Sequence, residues 1–142
     1  MPLSLLAFDF GTKSIGVSYG QANLATANEL KPLKAKDGIP DWQQIEKLIG
    51  EWQPQKLLVG LPLNMDGSEQ EMTRRARKFA NRLRSRFQLD VELVDERLSS
   101  REAKELAMER GHRGNYADQP VDSIAARLIL ETFLRNISAN EV

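Results

Sequence analysis

The stretch Leu5-Leu6-Ala7-Phe8-Asp9-Phe10-Gly11-Thr12-Lys13-Ser14-Ile15-Gly16-Val17 carries an apolar strand into a carboxylate and then turns on a glycine. A charge at the edge of a core is costly unless it is paired, hydrogen-bonded or bound to a cation. Gly11 allows a tight turn back into a second apolar run, and Thr12, Lys13 and Ser14 supply donors suited to phosphate. The stretch therefore predicts an antiparallel strand pair with Asp9 beside a phosphate or a cation. The plainer reading makes Asp9 a cap on the Gly11-Thr12 turn.

Working outward, strands are expected near 3–10, 15–20, 24–31, 56–60 and 91–95. Trp42, Ile45, Leu48, Ile49 and Trp52 form one apolar face of a helix over 41–53, with Asp41 and Gln44 as its capping box. Ser68 and Glu71 form a second capping box, for a helix that runs to about Phe87. Ser99 and Glu102 cap a third helix ending near Gly111, an irregular loop covers 111–120, and a last helix covers 121–136. Opening hairpins followed by alternating helices and strands predict an α/β fold, a mixed five-stranded sheet with helices on both faces.

The 142 residues suit one domain, 1–142. With no cysteine, disulfides and thiolate metal sites are excluded. No basic stretch precedes the first apolar run, and Asp9 cuts that run short. The expectation is a cytoplasmic protein without a signal peptide or membrane span. Twenty basic residues balance twenty acidic ones, so contact with a polyanion would depend on local patches.

Three acidic positions compete for a chemical role. Asp95 and Glu96 end the last strand, where neighbouring side chains point to opposite faces, so geometry leaves the choice between them open. Asp122 begins the last helix, and the positions beneath it are Ala125, Ala126 and Ile129. A first-turn carboxylate gains about 0.3–1 kcal/mol from the helix dipole wherever it faces. An apolar line beneath it places Asp122 on the core side. Carboxylates converging with Asp9 would bind hard divalent cations through oxygen, Mg²⁺ or Mn²⁺ rather than structural zinc.

At these residues the sequence resembles the YqgF, or RuvX, family of Holliday junction resolvases and pre-16S rRNA processing nucleases. The resemblance rests on Phe8-Asp9-Phe10-Gly11-Thr12-Lys13 with Ile15-Gly16-Val17, on Val59-Gly60-Leu61-Pro62-Leu63-Asn64-Met65-Asp66-Gly67-Ser68, on Asp95-Glu96-Arg97-Leu98-Ser99-Ser100, and on Asp122-Ser123-Ile124-Ala125-Ala126 with Ile129-Leu130. It implies an RNase H-like fold and catalytic, metal-binding acids at Asp9, Glu96 and Asp122. It implies one or two Mg²⁺ or Mn²⁺ ions and hydrolysis of phosphodiesters, in maturation of the 5′ end of pre-16S rRNA or in resolution of four-way DNA. Ala117-Asp118-Gln119-Pro120-Val121 stands where many relatives carry lysines, which lowers the local attraction for phosphate.

Lys13, Arg97 and Arg101 lie close in sequence to these acids and suit a substrate phosphate. The helix after Ser68 carries Arg74, Arg75, Arg77, Lys78, Arg82, Arg84 and Arg86 opposite its apolar side. A solvated amphipathic face accounts for that pattern; contact with nucleic acid, at Arg82 and Arg86 in particular, is the sharper reading. His112 reads as a surface residue. The partner expected is precursor rRNA or branched DNA, bound by a monomer or weak homodimer, and a non-catalytic nucleic-acid-binding module is the rival class. An ATPase-type phosphate loop at Asp9–Lys13 is disfavoured, because such proteins close two domains around the nucleotide.

Overall fold

The computed structural model describes residues 3–24, 26–96 and 121–140, and the side chains at 121, 122 and 138–140 are not among those described. The order is β1 (Ser4–Asp9), β2 (Ser14–Gln21), a 3₁₀ turn (Ala22–Leu24), β3 (Asn28–Lys36), β4 (Ile39–Pro40), α1 (Trp42–Trp52), β5 (Lys56–Leu61), α2 (Glu71–Phe87), β6 (Asp90–Asp95) and α3 (Val121–Asn140). The strands form one sheet in the order β4-β3-β2-β1-β5-β6. β1 pairs antiparallel with β2 and parallel with β5, and β5 pairs parallel with β6. This is the expected mixed sheet. Its sixth strand is the two-residue β4 at the tip of β3. No described helix is long and apolar enough to cross a membrane.

β5 is buried along nearly its whole length, as a parallel strand covered on both faces requires. Side-chain alternation splits the core into two layers. Leu6, Phe8, Leu57, Val59 and Val91 pack against α1 and α2, with Ile45, Phe79 and Leu83 at the centre. Leu5, Ala7, Leu58 and Val94 face α3 through Ile129, Leu130, Phe133 and Leu134.

Two sequence expectations need correction. The third strand lies at Asn28–Lys36, not 24–31, because residues 22–24 close a 3₁₀ turn in which the Ala22 N–H bonds Leu3 O at 2.8 Å. Pro32 does not exclude the strand, since it lies where the β2–β3 register shifts between Ile15 and Val17 and the ladder needs no donor. Ser68 does not cap α2. Its N–H and hydroxyl are both committed to Asp66, closing the 64–68 turn. The cap moves to Gln70, whose N–H donates to Thr73 Oγ1 at 3.0 Å, while the buried Thr73 hydroxyl donates to Pro62 O. Asp41 does cap α1, accepting from the Gln43 N–H at 3.0 Å. The expected third helix and the 111–120 loop lie outside the described residues.

Candidate carboxylate site

Parallel pairing brings the carboxyl ends of β1, β5 and β6 to one edge of the sheet. Phe8 is paired with Val59, and Gly60 with Val94. Beyond β6 the ladder continues for one more residue, with the Glu96 N–H donating to Leu61 O at 3.1 Å. Ala7, Leu58 and Val94 all face α3. Two positions further along each strand come Asp9, Gly60 and Glu96, which therefore share that face. Asp95 falls on the other face and is exposed.

Asp9 and Glu96 meet across Gly60, and their side chains hydrogen-bond. A Cβ at Gly60 would come within 2.6 Å of Glu96 Cδ and 2.4 Å of Ile129 Cδ1. The missing side chain is thus the space in which the Glu96 carboxyl lies. Burial pushes the Glu96 carboxyl above its usual range; the hydrogen bond from Asp9 opposes this and the Asp95 charge adds to it. Two carboxyls this close repel each other when both are ionised, and a cation or a proton between them relieves that repulsion.

Asp122 belongs by backbone to the first turn of α3. Helical register stacks its position above Ala126 and Ile129, both fully buried, and Ile129 packs at Gly60. The start of α3 is pinned to the sheet. Ser18 Oγ donates to Ala126 O at 2.8 Å, Ser123 Oγ donates to Leu30 O at 2.6 Å, and Arg127 pairs with Glu29 at 2.8 Å. Among the described residues no set of three Asp, Glu or His gathers as a metal site. The donors present are carboxylate oxygens, the type that hard divalent ions select.

Lys13 is exposed in the turn after Asp9, and that turn is stitched to the β3–β4 hairpin by Ala35 N–H to Lys13 O and Gly38 N–H to Thr12 O, each 2.9 Å. Arg82 and Arg86 are not brought to the carboxylate pair. They lie on α2, across the sheet from α3, and the Arg86 guanidinium stacks 4.3 Å over the Trp42 ring. Arg97, Arg101 and His112 lie outside the described residues. The residue missed in sequence is Gly60. Its signal was a glycine inside an apolar strand, which marks a close approach.

A model of the RuvX family, described as Holliday junction resolvase, matches residues 3–136. A protein of Saccharophagus degradans named "Putative pre-16S rRNA nuclease" is 63% identical over 132 residues, 93% of each chain. A protein of the same name from Chromohalobacter salexigens is 63% identical over 129 residues, 91% of this chain and 87% of the relative. Among solved structures, Thermus thermophilus RuvC in complex with a Holliday junction substrate superposes with a TM-score of 0.58 at 14% identity, covering 98% of this chain and 96% of that one. That likeness carries the fold, which is RNase H-like.

Proposed function

The chain belongs to the RuvX family, and we propose that it is a divalent-metal-dependent endonuclease acting on nucleic acid, with the 5′ end of the 16S rRNA precursor as its substrate. The observation that carries this reading is the Asp9–Glu96 pair laid side by side over Gly60. Hydrogen-bonded acids at a sheet edge gain nothing for the fold that amides would not provide; they suit a cation that displaces their shared proton.

Asp9 and Glu96 supply oxygen ligands, and Asp122 completes the donor set from the first turn of α3. One or two Mg²⁺ or Mn²⁺ ions, when bound, supply Lewis-acid activation of water and neutralise charge on the phosphate. In the hydrolysis, water oxygen bonds to phosphorus and the bond to the 3′ oxygen breaks, leaving a 5′-phosphate and a 3′-hydroxyl. Gly60 keeps the Glu96 carboxyl in line with Asp9. Lys13, Arg97 and Arg101 hold the scissile or a neighbouring phosphate. Residues 1–142 act as a single domain in the cytoplasm, as a monomer or weak homodimer.

The test compares the wild-type chain with Asp9→Asn, Glu96→Gln and Asp122→Asn on labelled 16S precursor RNA and on four-way DNA, with Mn²⁺. Each variant is expected to lose at least about 10²-fold in cleavage rate. Identical products from wild type and variants would assign the cleavage to a contaminant and leave a non-catalytic binding module. Preferential, symmetric cleavage of the junction would move the substrate to DNA and require two copies of the chain.

A further inference from the structure

The seven basic residues of α2 do not form one uniform solvated face. Four are engaged within the fold. Arg75 bonds Asp37 O at 2.8 Å and its carboxylate at 3.2 Å. Arg77 pairs with Glu69 at 2.8 Å, Arg84 bonds Asn81 and Val91 O, and Arg86 stacks on Trp42. Arg74, Lys78 and Arg82 are exposed and have no ion-pair or hydrogen-bond partner among the described residues. They recur every fourth position, so they form one stripe along the helix with a rise of about 6 Å between successive charges.

The stripe borders a cavity of about 260 Å³ between α2 and the β3–β4 hairpin, to which Phe10, Ile39, Lys78 and Arg82 contribute walls. That is slightly below the roughly 300–1,000 Å³ of sites that enclose a whole small-molecule ligand, and fits part of a larger one. The cavity is a built feature. Gly38 sits at φ +80°, and a Cβ there would fall 2.8 Å from Phe10 Cζ and 2.9 Å from Arg75 Nη2, so the hairpin tip packs flush against both. Arg75 neutralises Asp37 at the rim, and the cavity keeps two uncompensated cations, Lys78 and Arg82. Ile39, 57% exposed, forms an apolar lip. Phe10 follows Asp9 directly, so this cavity and the carboxylate pair occupy the two faces of the same sheet edge.

We propose that Arg74, Lys78, Arg82 and the Phe10–Ile39 cavity form a track for single-stranded nucleic acid, the cations holding successive phosphates and the cavity receiving a base. The assignment of this strand as the segment flanking the scissile phosphate rests on the nuclease reading above; the track itself does not. Cations spaced along a helix follow an extended backbone, while an apolar lip and a ring edge take an unstacked base of any identity. A duplex keeps its bases stacked and offers nothing to the cavity.

Fluorescence anisotropy tests this without turnover, using a labelled twelve-nucleotide single strand, RNA in one arm and DNA in the other, in EDTA. Lys78→Ala with Arg82→Ala should weaken binding at least tenfold at 0.1 M salt. The same pair should flatten the slope of log K against log salt by about 1.4, since each single-strand phosphate contact contributes about 0.7. Ile39→Ala should weaken binding by about three- to tenfold and leave the slope unchanged. Lys31→Ala with Lys47→Ala, which removes the same charge from exposed positions on β3 and α1, should change neither. The proposal fails if the wild type does not bind, if the control pair weakens binding as much, or if a duplex of equal length loses as much affinity as the single strand. A chain that binds through Lys78 and Arg82 yet does not cleave in Mn²⁺ overturns the nuclease reading alone. Cleavage that needs Asp9 and Glu96, with strand binding indifferent to Lys78 and Arg82, overturns the track alone.

Discussion

Glu96 is the residue whose role depends most on its neighbours. Its sequence partner Asp95 is chemically equivalent, and strand alternation says only that the two point apart. The choice follows from the register that places Val94 opposite Gly60 and on the α3 face. That register involves pairing between strands more than thirty residues apart, so it is not readable locally. Gly60 supplies the empty volume. Gly60→Ala would drive a methyl into the Glu96 carboxyl and Ile129, and overpacking of this kind costs about 1–3 kcal/mol. The expected outcome is a folded protein with lower Tm and at least tenfold weaker Mn²⁺ binding by calorimetry; unchanged Mn²⁺ binding would show that Glu96 does not depend on that space. Glu96→Gln should act in the opposite direction on stability. Burial disfavours the charged carboxyl, and the amide carries no such cost. In EDTA at pH 7, thermal unfolding should show a Tm equal to the wild type or roughly 1–3 °C higher, alongside loss of cleavage. A marked fall in Tm would make Glu96 a structural residue.

Elements were legible where one face is apolar and ends are capped by local chemistry. α1 follows its Trp42-to-Trp52 stripe and its Asp41 cap. The sequence reading failed where a local signal had a stronger competitor. Ser68 looks like a helix cap, yet its hydroxyl is taken by Asp66 in the preceding turn, and Thr73 takes over the start of α2. β3 was expected near 24–31 and runs over Asn28–Lys36, where the register shift opposite Pro32 lets the strand continue past it. The strand ends that carry no such ambiguity are tied by charge. Lys56 on β5 contacts Asp90 at 3.3 Å and Glu92 at 3.0 Å on β6, with its ammonium 5.3 Å from the Phe133 ring of α3. Desolvation lowers its pKa, but the hydrogen bonds and charges of Glu92 and Asp90 outweigh it, and the net shift is upward from 10.5. A cation with a raised pKa stabilises the fold fully below its unfolded value and loses that contribution as pH rises through the folded value. Lys56→Met should therefore lower stability at pH 7–9, by about 0.2–1 kcal/mol given the exposure of both carboxylates. Urea unfolding at pH 7 and at pH 11 should show the difference shrinking at the higher pH. A difference that does not change would assign the effect to packing of the Lys56 stem.

For the whole molecule, the balanced charge of the chain conceals a local sorting. Among the described residues, the α3 face carries the carboxylate pair, and α2, on the other face, carries the unpartnered Arg74, Lys78 and Arg82. Composition could not reveal this, because charges distant in sequence are sorted only when the sheet forms. The apolar line beneath Asp122 was readable in the sequence, but where the first turn of α3 lies relative to the sheet depends on how the helix is seated. Ser18 on β2 and Ser123 on α3 fix that seat by donating to Ala126 O and to Leu30 O on β3, with two and three strands respectively between these sheet contacts and β6. Both serines are buried, and neither is at the carboxylate pair. Ser18→Ala with Ser123→Ala should cost about 1–3 kcal/mol in unfolding free energy, the sum of two modest hydrogen bonds. If α3 positions the third acid, the same double variant should also weaken Mn²⁺ binding several-fold at a temperature where it remains folded. Ser18→Thr, which keeps a hydroxyl, should recover part of that affinity. If α3 is only a cover for the core, Tm will fall while Mn²⁺ affinity stays at the wild-type value, and the donor set must then be completed from elsewhere in the chain.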